Sequence, residues 1–427
     1  MNLSRVSHLL RRRRESVQPP PDAAIERSVA TGQELTAAGR LPDAVRSFRD
    51  AIRLDGANAE AWRGIGRIAA DAGLAETLLD GFLESVTEWT HARSADEPIR
   101  EPEERYARRC GLPLGDALLT HRLGDEPFVL LDGGARGAEV DARWNRLDAA
   151  RLTIYGFEPD EQECERLNSV SHQSGARRLY YPVGLWSVDG TLPFHENHAS
   201  GGSSFMEQNQ AVSDRWKFEN PTQTALATEI FRPKRTYDVK VVTLASWAQQ
   251  HDVGAIDFVK LNVQGGELEI LRKAGPVLDS VLGLLLEASF CESYRGRPFF
   301  SDVDVFLRAR GFVFFDLLAH HYIGRANAPI AQQHLRSVRP KLGQLVSAWG
   351  QLIEGHALYL RDPVAEFPDG PPDDAWARRA LKLACVAEIY GQIEYAFELV
   401  AWASRADDDQ GLAALIEQAA ETYRRFY

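Results

Sequence analysis

The amino-acid sequence predicts an α/β fold: a mainly parallel sheet covered by helices on both faces, with helical regions before and after it. Three observations carry that expectation. Short apolar runs alternate with helical segments from residue 128 to about 362. A glycine-rich bend, Leu131 to Gly137, separates the first run from the segment after it. The second run ends in an acid, Glu158.

The apolar runs, taken in order, are Phe128 to Leu131, Leu152 to Phe157, Leu179 to Val183, Ile256 to Leu261, Val281 to Leu286 and Phe312 to Leu317. Helical periodicity fills Ala138 to Ala150, Glu161 to Val170, Gly266 to Ala274 and Asp302 to Arg310 between them. Residues 1–23 read as a disordered basic tail with Arg11 to Arg14 and Pro19 to Pro21, and no apolar h-region follows. Its other use would be a tether to a membrane surface or a partner. Residues 24–85 read as a tetratricopeptide-like helical region. Gly32 and Gly66 are 34 apart, as are Gly39 and Gly73, and Ala44, Phe48 and Ala51 share one helical face. Such a region either docks a protein partner or caps the main domain. Residues 86–127 read as a charged, solvated helical connector, with Glu101, Glu103 and Glu104 among Arg100, Arg105, Arg108 and Arg109. From 374 to 427 the stripes Trp376, Ala380, Leu383, Ala387, Tyr390 and Leu412, Leu415, Ala419, Tyr423 read as a small helical appendage.

Composition narrows the function. The 427 residues carry 49 Lys+Arg against 61 Asp+Glu, a formal net charge of −12 that disfavours a nucleic-acid partner. No apolar run approaches the ~18 residues of a membrane span. Cys110, Cys164, Cys291 and Cys385 are far apart and form no C-x-x-C pair, which suits a reducing, cytoplasmic setting and excludes a cysteine zinc site.

The chemistry sits at strand ends. In Asp132-Gly133-Gly134-Ala135-Arg136-Gly137 the glycines let the backbone turn tightly, so that a ligand can lie against bare N–H groups at a helix start. Against a dinucleotide G-x-G-x-x-G, Asp132 replaces the first glycine. An acid there repels a pyrophosphate and attracts a cationic amino group, which favours S-adenosyl-L-methionine (SAM). Glu158, 26 residues on, is placed to accept the hydroxyl hydrogens of a ribose, and Asp160 with Glu163 forms a capping box behind it. A third strand end, Ile256 to Glu267, carries Lys260, Asn262 and Glu267.

With Asp132 to Gly137, Phe157-Glu158-Pro159, and Lys260 to Glu267 on the page, the sequence resembles the FkbM family of SAM-dependent methyltransferases over residues 128–362. Leu286-Glu287, Tyr294, Gly311-Phe312 and Ala357-Leu358-Tyr359 extend the likeness. The resemblance implies a Rossmann-like class I methyltransferase sheet with strand order 3-2-1-4-5-7-6, the last strand antiparallel. It also implies methyl transfer from SAM to a hydroxyl of a sugar, glycan or related natural product. Two residues depart from the family: Asn262 stands where Asp is usual, and Ala245 follows Thr243-Leu244 where the family often has Asp. Asn keeps an acceptor oxygen and loses the charge.

The cofactor-binding set is then Asp132, Gly133, Gly134, Ala135, Gly137, Glu158, Gly184, Leu185 and Asn262, with Gly184-Leu185-Trp186 passing near the adenine. The catalytic set is Lys260, Glu267, Asn262 and Glu287. Glu267 or Lys260 would take the acceptor's proton or orient it, unless Lys260 is spent in a salt bridge to Glu287 or Glu267. A divalent metal would serve the same deprotonation, but His195-x-x-His198 and His320-His321 are weak metal signals alone. Ser200 to Ser204 reads as a hydroxyl-rich loop over a polar acceptor, and Trp186, Trp216 and Tyr294 either stack on a sugar or fill the core. Two other classes stay open: a non-catalytic scaffold that joins helical repeats to a degenerate methyltransferase fold, and an NAD-dependent oxidoreductase.

Overall fold

The computed structural model describes residues 21–54, 60–61, 64, 68, 112–136, 142–171, 175–198, 200–219, 224–226, 231–326, 351–406 and 410–424. Residues 1–20 of the basic tail, Trp62, Gly66, Gly73, the connector up to residue 111 and Gly137 lie outside them, while residues 21–23, read as the end of that tail, open a helix. The chain divides into two compact units.

In the first unit, helices α1 (Pro21–Ala37) and α2 (Leu41–Leu54) pair. Gly39, at φ +69°, turns the chain between them. Phe48 is buried with Ala44 and Ala51. A Cβ on Gly32 would fall 2.5 Å from its ring, so the glycine permits the close approach.

The second unit holds the sheet. Its strands are β1 (Phe128–Gly133), β2 (Leu152–Phe157), β3 (Arg177–Tyr181), β4 (Gly184–Leu185) and β5 (Gly190–Asn197). After β6 (Trp216–Glu219) and β7 (Thr224–Leu226), which fall partly in the first unit, come β8 (Pro233–Val242), β9 (Phe258–Leu261), β10 (Gly283–Ser289), β11 (Phe312–Arg325) and β12 (Gln351–Arg361). The main order is β3-β2-β1-β9-β10-β12-β11, parallel from β3 to β10, with β12 antiparallel to both neighbours. This is the 3-2-1-4-5-7-6 order of a Rossmann-like methyltransferase sheet. β11 runs on to pair Gly324 with Lys217 and Arg325 with Trp216. A small second sheet, β4-β8-β5, lies after β3 in the chain.

Side-chain alternation along the strands builds two cores. Leu131, Val259, Leu261, Leu284 and Leu286 pack under α5 (Leu244–Gln250), α6 (Glu267–Arg272) and α7 (Phe300–Arg308). Their alternate neighbours Phe128, Leu130, Phe258, Leu285 and Leu358 face the other way. Here the structure corrects three expectations. The described part of 138–150 forms 3-10 turns at Ala142–Arg146 and Ala149–Arg151. Asp148 accepts from Ala150 N at 3.0 Å, so a new turn is capped where a helix would have run on. The cover for this face comes instead from the C-terminal helices α8 (Asp374–Ile389), α9 (Ile393–Ala403) and α10 (Gln410–Arg424). They belong to the unit's core and are no appendage. Likewise the end of the connector is apolar and buried: Leu112, Leu114, Leu118, Leu119 and Leu123 join the same core through α3 (Pro113–Leu118) and the turn after it. Among the described residues no helix is long and apolar enough to cross a membrane.

Candidate functional site

The bend after β1 is shaped by a backbone contact. Gly134 has φ +82°, and a Cβ there would lie 2.0 Å from the carbonyl oxygen of Asn262. Only glycine fits. The sequence leads one to expect bare amides at this bend, and the structure corrects that: Gly134 N and Ala135 N donate to Phe157 O at 3.2 and 3.0 Å. The bend is therefore stapled to the end of β2, which fixes Glu158 beside it. Ala135 is buried against Cys164, Leu167 and Tyr180 of α4 (Glu161–Ser171) and β3 and fills space, with no surface for a ligand. Asp160 caps α4 through Gln162 N and Glu163 N at 3.0 and 3.1 Å.

Two acids stand at neighbouring strand ends, in different roles. Glu158 is buried and lines the cleft. One of its oxygens accepts from Asp160 N at 2.9 Å, and burial pushes its carboxyl above the ordinary range. Asp132 is set one layer back. Its carboxylate holds the Lys260 ammonium at 2.7 Å, and Lys260, which also donates to Gly134 O at 3.3 Å, presents itself to the cleft. This corrects two expectations together. Asp132 meets its cation within the protein, and Lys260 is spent on Asp132, neither Glu267 nor Glu287. The cause is register: Asp132 and Lys260 are directly paired residues of β1 and β9, so their side chains leave the sheet on the same side.

The loop after β9 is organised by carboxylates from behind. Glu267 is buried, and its two oxygens accept from Val263 N at 2.9 Å and Gly265 N at 3.0 Å. It shapes the loop and does not line the cleft. Gln264 is held at φ +58° and forms a bridge. Its Nε2 donates to Asn262 Oδ1 at 2.9 Å and to Glu287 Oε1 at 2.8 Å, and its Oε1 accepts from the Tyr294 hydroxyl at 3.2 Å. Asn262 lines the cleft, with its oxygen engaged by Gln264. Glu287 stands behind Gln264, buried and paired to Arg297 at 2.5 Å. Burial pushes Glu287 up to about 8. Arg297 also reaches Glu354 at 3.3 Å, whose other oxygen meets His321 Nδ1 at 2.9 Å. Those partners outweigh burial and bring Glu354 down to about 2.

A cleft of about 340 Å³ opens at the C-terminal ends of β1, β2 and β9, where open α/β sheets bind ligands. Of the residues expected from the sequence, Gly134, Glu158, Gly184, Leu185, Lys260 and Asn262 line it. Gly133, Ala135 and Asp132 stand behind the lining, as do Glu267 and Glu287, and Gly137 lies outside the described residues. Arg136, Phe194, Phe205 and Gln264 were not expected in the lining, while Ser203 was expected there as part of the hydroxyl-rich loop. Arg136 had a visible signal, its place within the glycine bend, and it now bridges Asp160 at 2.8 Å. Phe205 packs where a Cβ on Gly184 would be, 2.5 Å from its ring. Ser203 and Gly201 carry the hydroxyl-rich loop to the cleft. Trp216 is fully buried, and Trp186 covers Gly266, so neither lines the cleft. At the helix start where Ala245 replaces an acid, Asp189 supplies the carboxylate, accepting from Thr243 N and Ser246 Oγ at 2.6 Å each. Among the described residues no cluster of three or more His, Cys, Asp or Glu could hold a metal ion.

No curated protein matches the chain. Among solved structures, the chain is similar to the structure titled "Structure of the plantazolicin methyltransferase BpumL in complex with SAH", at 10% identity and a TM-score of 0.24, over 67% of this chain and 100% of that one. Residues 132–314, which include the bend after β1, Glu158, the loop after β9 and Glu287, match the family model described as the methyltransferase FkbM domain.

Proposed function

We propose that the second unit is a SAM-dependent O-methyltransferase that acts on a hydroxyl of a saccharide or related natural product. One observation supports the reading most: a cleft at the ends of β1, β2 and β9 lined by Gly134, Glu158 and Asn262. Glu158, buried and half-satisfied by a backbone amide, suits a ribose diol. Lys260, anchored by Asp132, offers an ammonium that suits the carboxylate of the cofactor's methionine end. When bound, SAM supplies an electrophilic methyl on a sulfonium. The chain's own task is to hold an acceptor oxygen in line with it, at about 3 Å. Gln264 orients the Asn262 amide at the edge of that space by engaging its oxygen.

Calorimetry with S-adenosylhomocysteine (SAH) tests the donor site. Saturable heat is expected with SAH and none with NAD, and Glu158→Ala should weaken SAH by roughly 10- to 100-fold, the worth of charge-assisted hydrogen bonds. No heat with SAH would sink the reading. Transfer of labelled methyl from SAM to a saccharide fraction tests the acceptor class, and label that goes only to protein or lipid overturns it.

A further inference from the structure

Behind Gln264 lies a second, smaller cavity of about 20 Å³, room for one water-sized group. Trp216, Gln208, Ser293, Tyr294 and Glu354 line it, and Gln264 lines both this cavity and the cleft. Trp216 is 1% exposed. Its indole Nε1 and the Gln208 Nε2 are buried and have no hydrogen-bond partner among the described residues. Burying two such donors unmet is costly. The fold nevertheless fixes them there. Asn209 N donates to Ser293 O at 2.9 Å and Arg295 N to Glu207 O at 2.8 Å, so Gln208 is clamped opposite Tyr294. Trp216 is tied to the end of β11 through its pairing with Arg325. The Glu354 carboxylate lines the same cavity, and its oxygens have lone pairs to spare beyond His321 and Arg297.

Two unmet donors and an anionic acceptor around one cavity match a group that both accepts and donates. We propose that this cavity is a subsite for one hydroxyl of a polyhydroxylated acceptor, which accepts from Trp216 Nε1 and Gln208 Nε2 and donates to Glu354, while the reacting hydroxyl lies across Gln264 in the cleft. The assignment rests on the methyltransferase reading and narrows its acceptor to one with a second hydroxyl near the methylated one. An anion fits poorly beside Glu354, and an alkyl group leaves both donors unmet.

The test uses the full chain, nitrogen-15 labelled and saturated with SAH, with glycerol as the probe and 1-propanol as its single-hydroxyl control. The Trp216 indole cross-peak is assigned as the one that Trp216→Phe removes. Glycerol is expected to move this peak saturably and 1-propanol to leave it in place. Gln208→Leu should weaken the glycerol response roughly two- to tenfold, the worth of one hydrogen bond. Gln208→Glu, which keeps the volume and turns the donor into an acceptor, should abolish it. A peak unmoved by glycerol, or moved equally by both alcohols, overturns the subsite and leaves a buried water as the occupant. Absence of heat with SAH overturns the methyltransferase reading instead, and the two failures are thus told apart.

Discussion

Asp132 and Lys260 set the electrostatics of the cleft as a pair, 128 residues apart in sequence and 2.7 Å apart in space. Removing one partner of a largely buried pair costs more than removing both, because the survivor loses the opposite charge that offset its desolvation. Lys260→Met should therefore destabilise the unit by about 3 kcal/mol, and the double variant with Asp132→Asn should recover part of that loss. Chemical denaturation of the two variants checks the order, and a double variant less stable than Lys260→Met would refute it. Glu267 makes a second residue-scale case. As a proton acceptor it would tolerate replacement by Gln with no change in donor binding. As the anchor of Val263 N and Gly265 N, it would not. Glu267→Gln is expected to weaken SAH at least about tenfold, the worth of a charge-assisted hydrogen bond. Calorimetry reads it, and unchanged affinity would restore the catalytic role.

At the scale of elements, Glu388 ties three helices. From α8 it accepts from Leu114 N at 2.9 Å and Gly115 N at 2.6 Å of α3, and from the Tyr423 hydroxyl of α10. Burial outweighs these donors and raises its carboxyl to about 7. The folded state thus holds this proton more tightly than the unfolded chain, whose glutamate titrates near its ordinary value. Its contribution is fully present below about 4.5 and is lost as pH rises toward 7. Unfolding free energy should fall across that window with a slope of at most about 1.4 kcal/mol per pH unit from this group, and Glu388→Gln should flatten it. Equal slopes in the two proteins would rule the group out. Six strands of the main sheet, β1, β2, β3, β9, β10 and β11, were legible in the apolar runs, as were most of the helices between them. β12 entered only through the family resemblance, β11 runs eight residues past its expected end, and the small β4-β8-β5 sheet was not legible. The described part of the segment 138–150, from Ala142 on, was not legible either. Its helical periodicity lost to Asp148 capping and to Trp144, whose ring packs 5.3 Å from Phe258 and 6.3 Å from Tyr390.

At the scale of the molecule, the C-terminal helices complete one face of the sheet. Leu383, Ala384, Val386, Ala387 and Tyr390 share a core with Phe128, Leu130 and Phe258. A chain ended at residue 373 would bare that face, at about 25 cal/mol for each Å² of apolar surface returned to water. It is expected to lose cooperative thermal unfolding, and a sharp transition in the shortened chain would contradict this core. A signal for it was present: every residue from Ala380 to Ile389 is buried, and their near-continuous apolar run marks a helix enclosed on all sides rather than one lying on a surface. Local rules, of period along strands and of backbone freedom at Gly134, were enough for the sequence by itself to determine the strand alternation, the bend after β1 and the acid that ends β2, since each depends on neighbours in the chain. Which charge meets which was decided only by tertiary structure. Lys260 went to Asp132, Glu267 to its own loop, and Glu287 to Arg297 and Gln264, because strand order and register bring distant side chains within a few ångströms and no spacing along the chain encodes that distance.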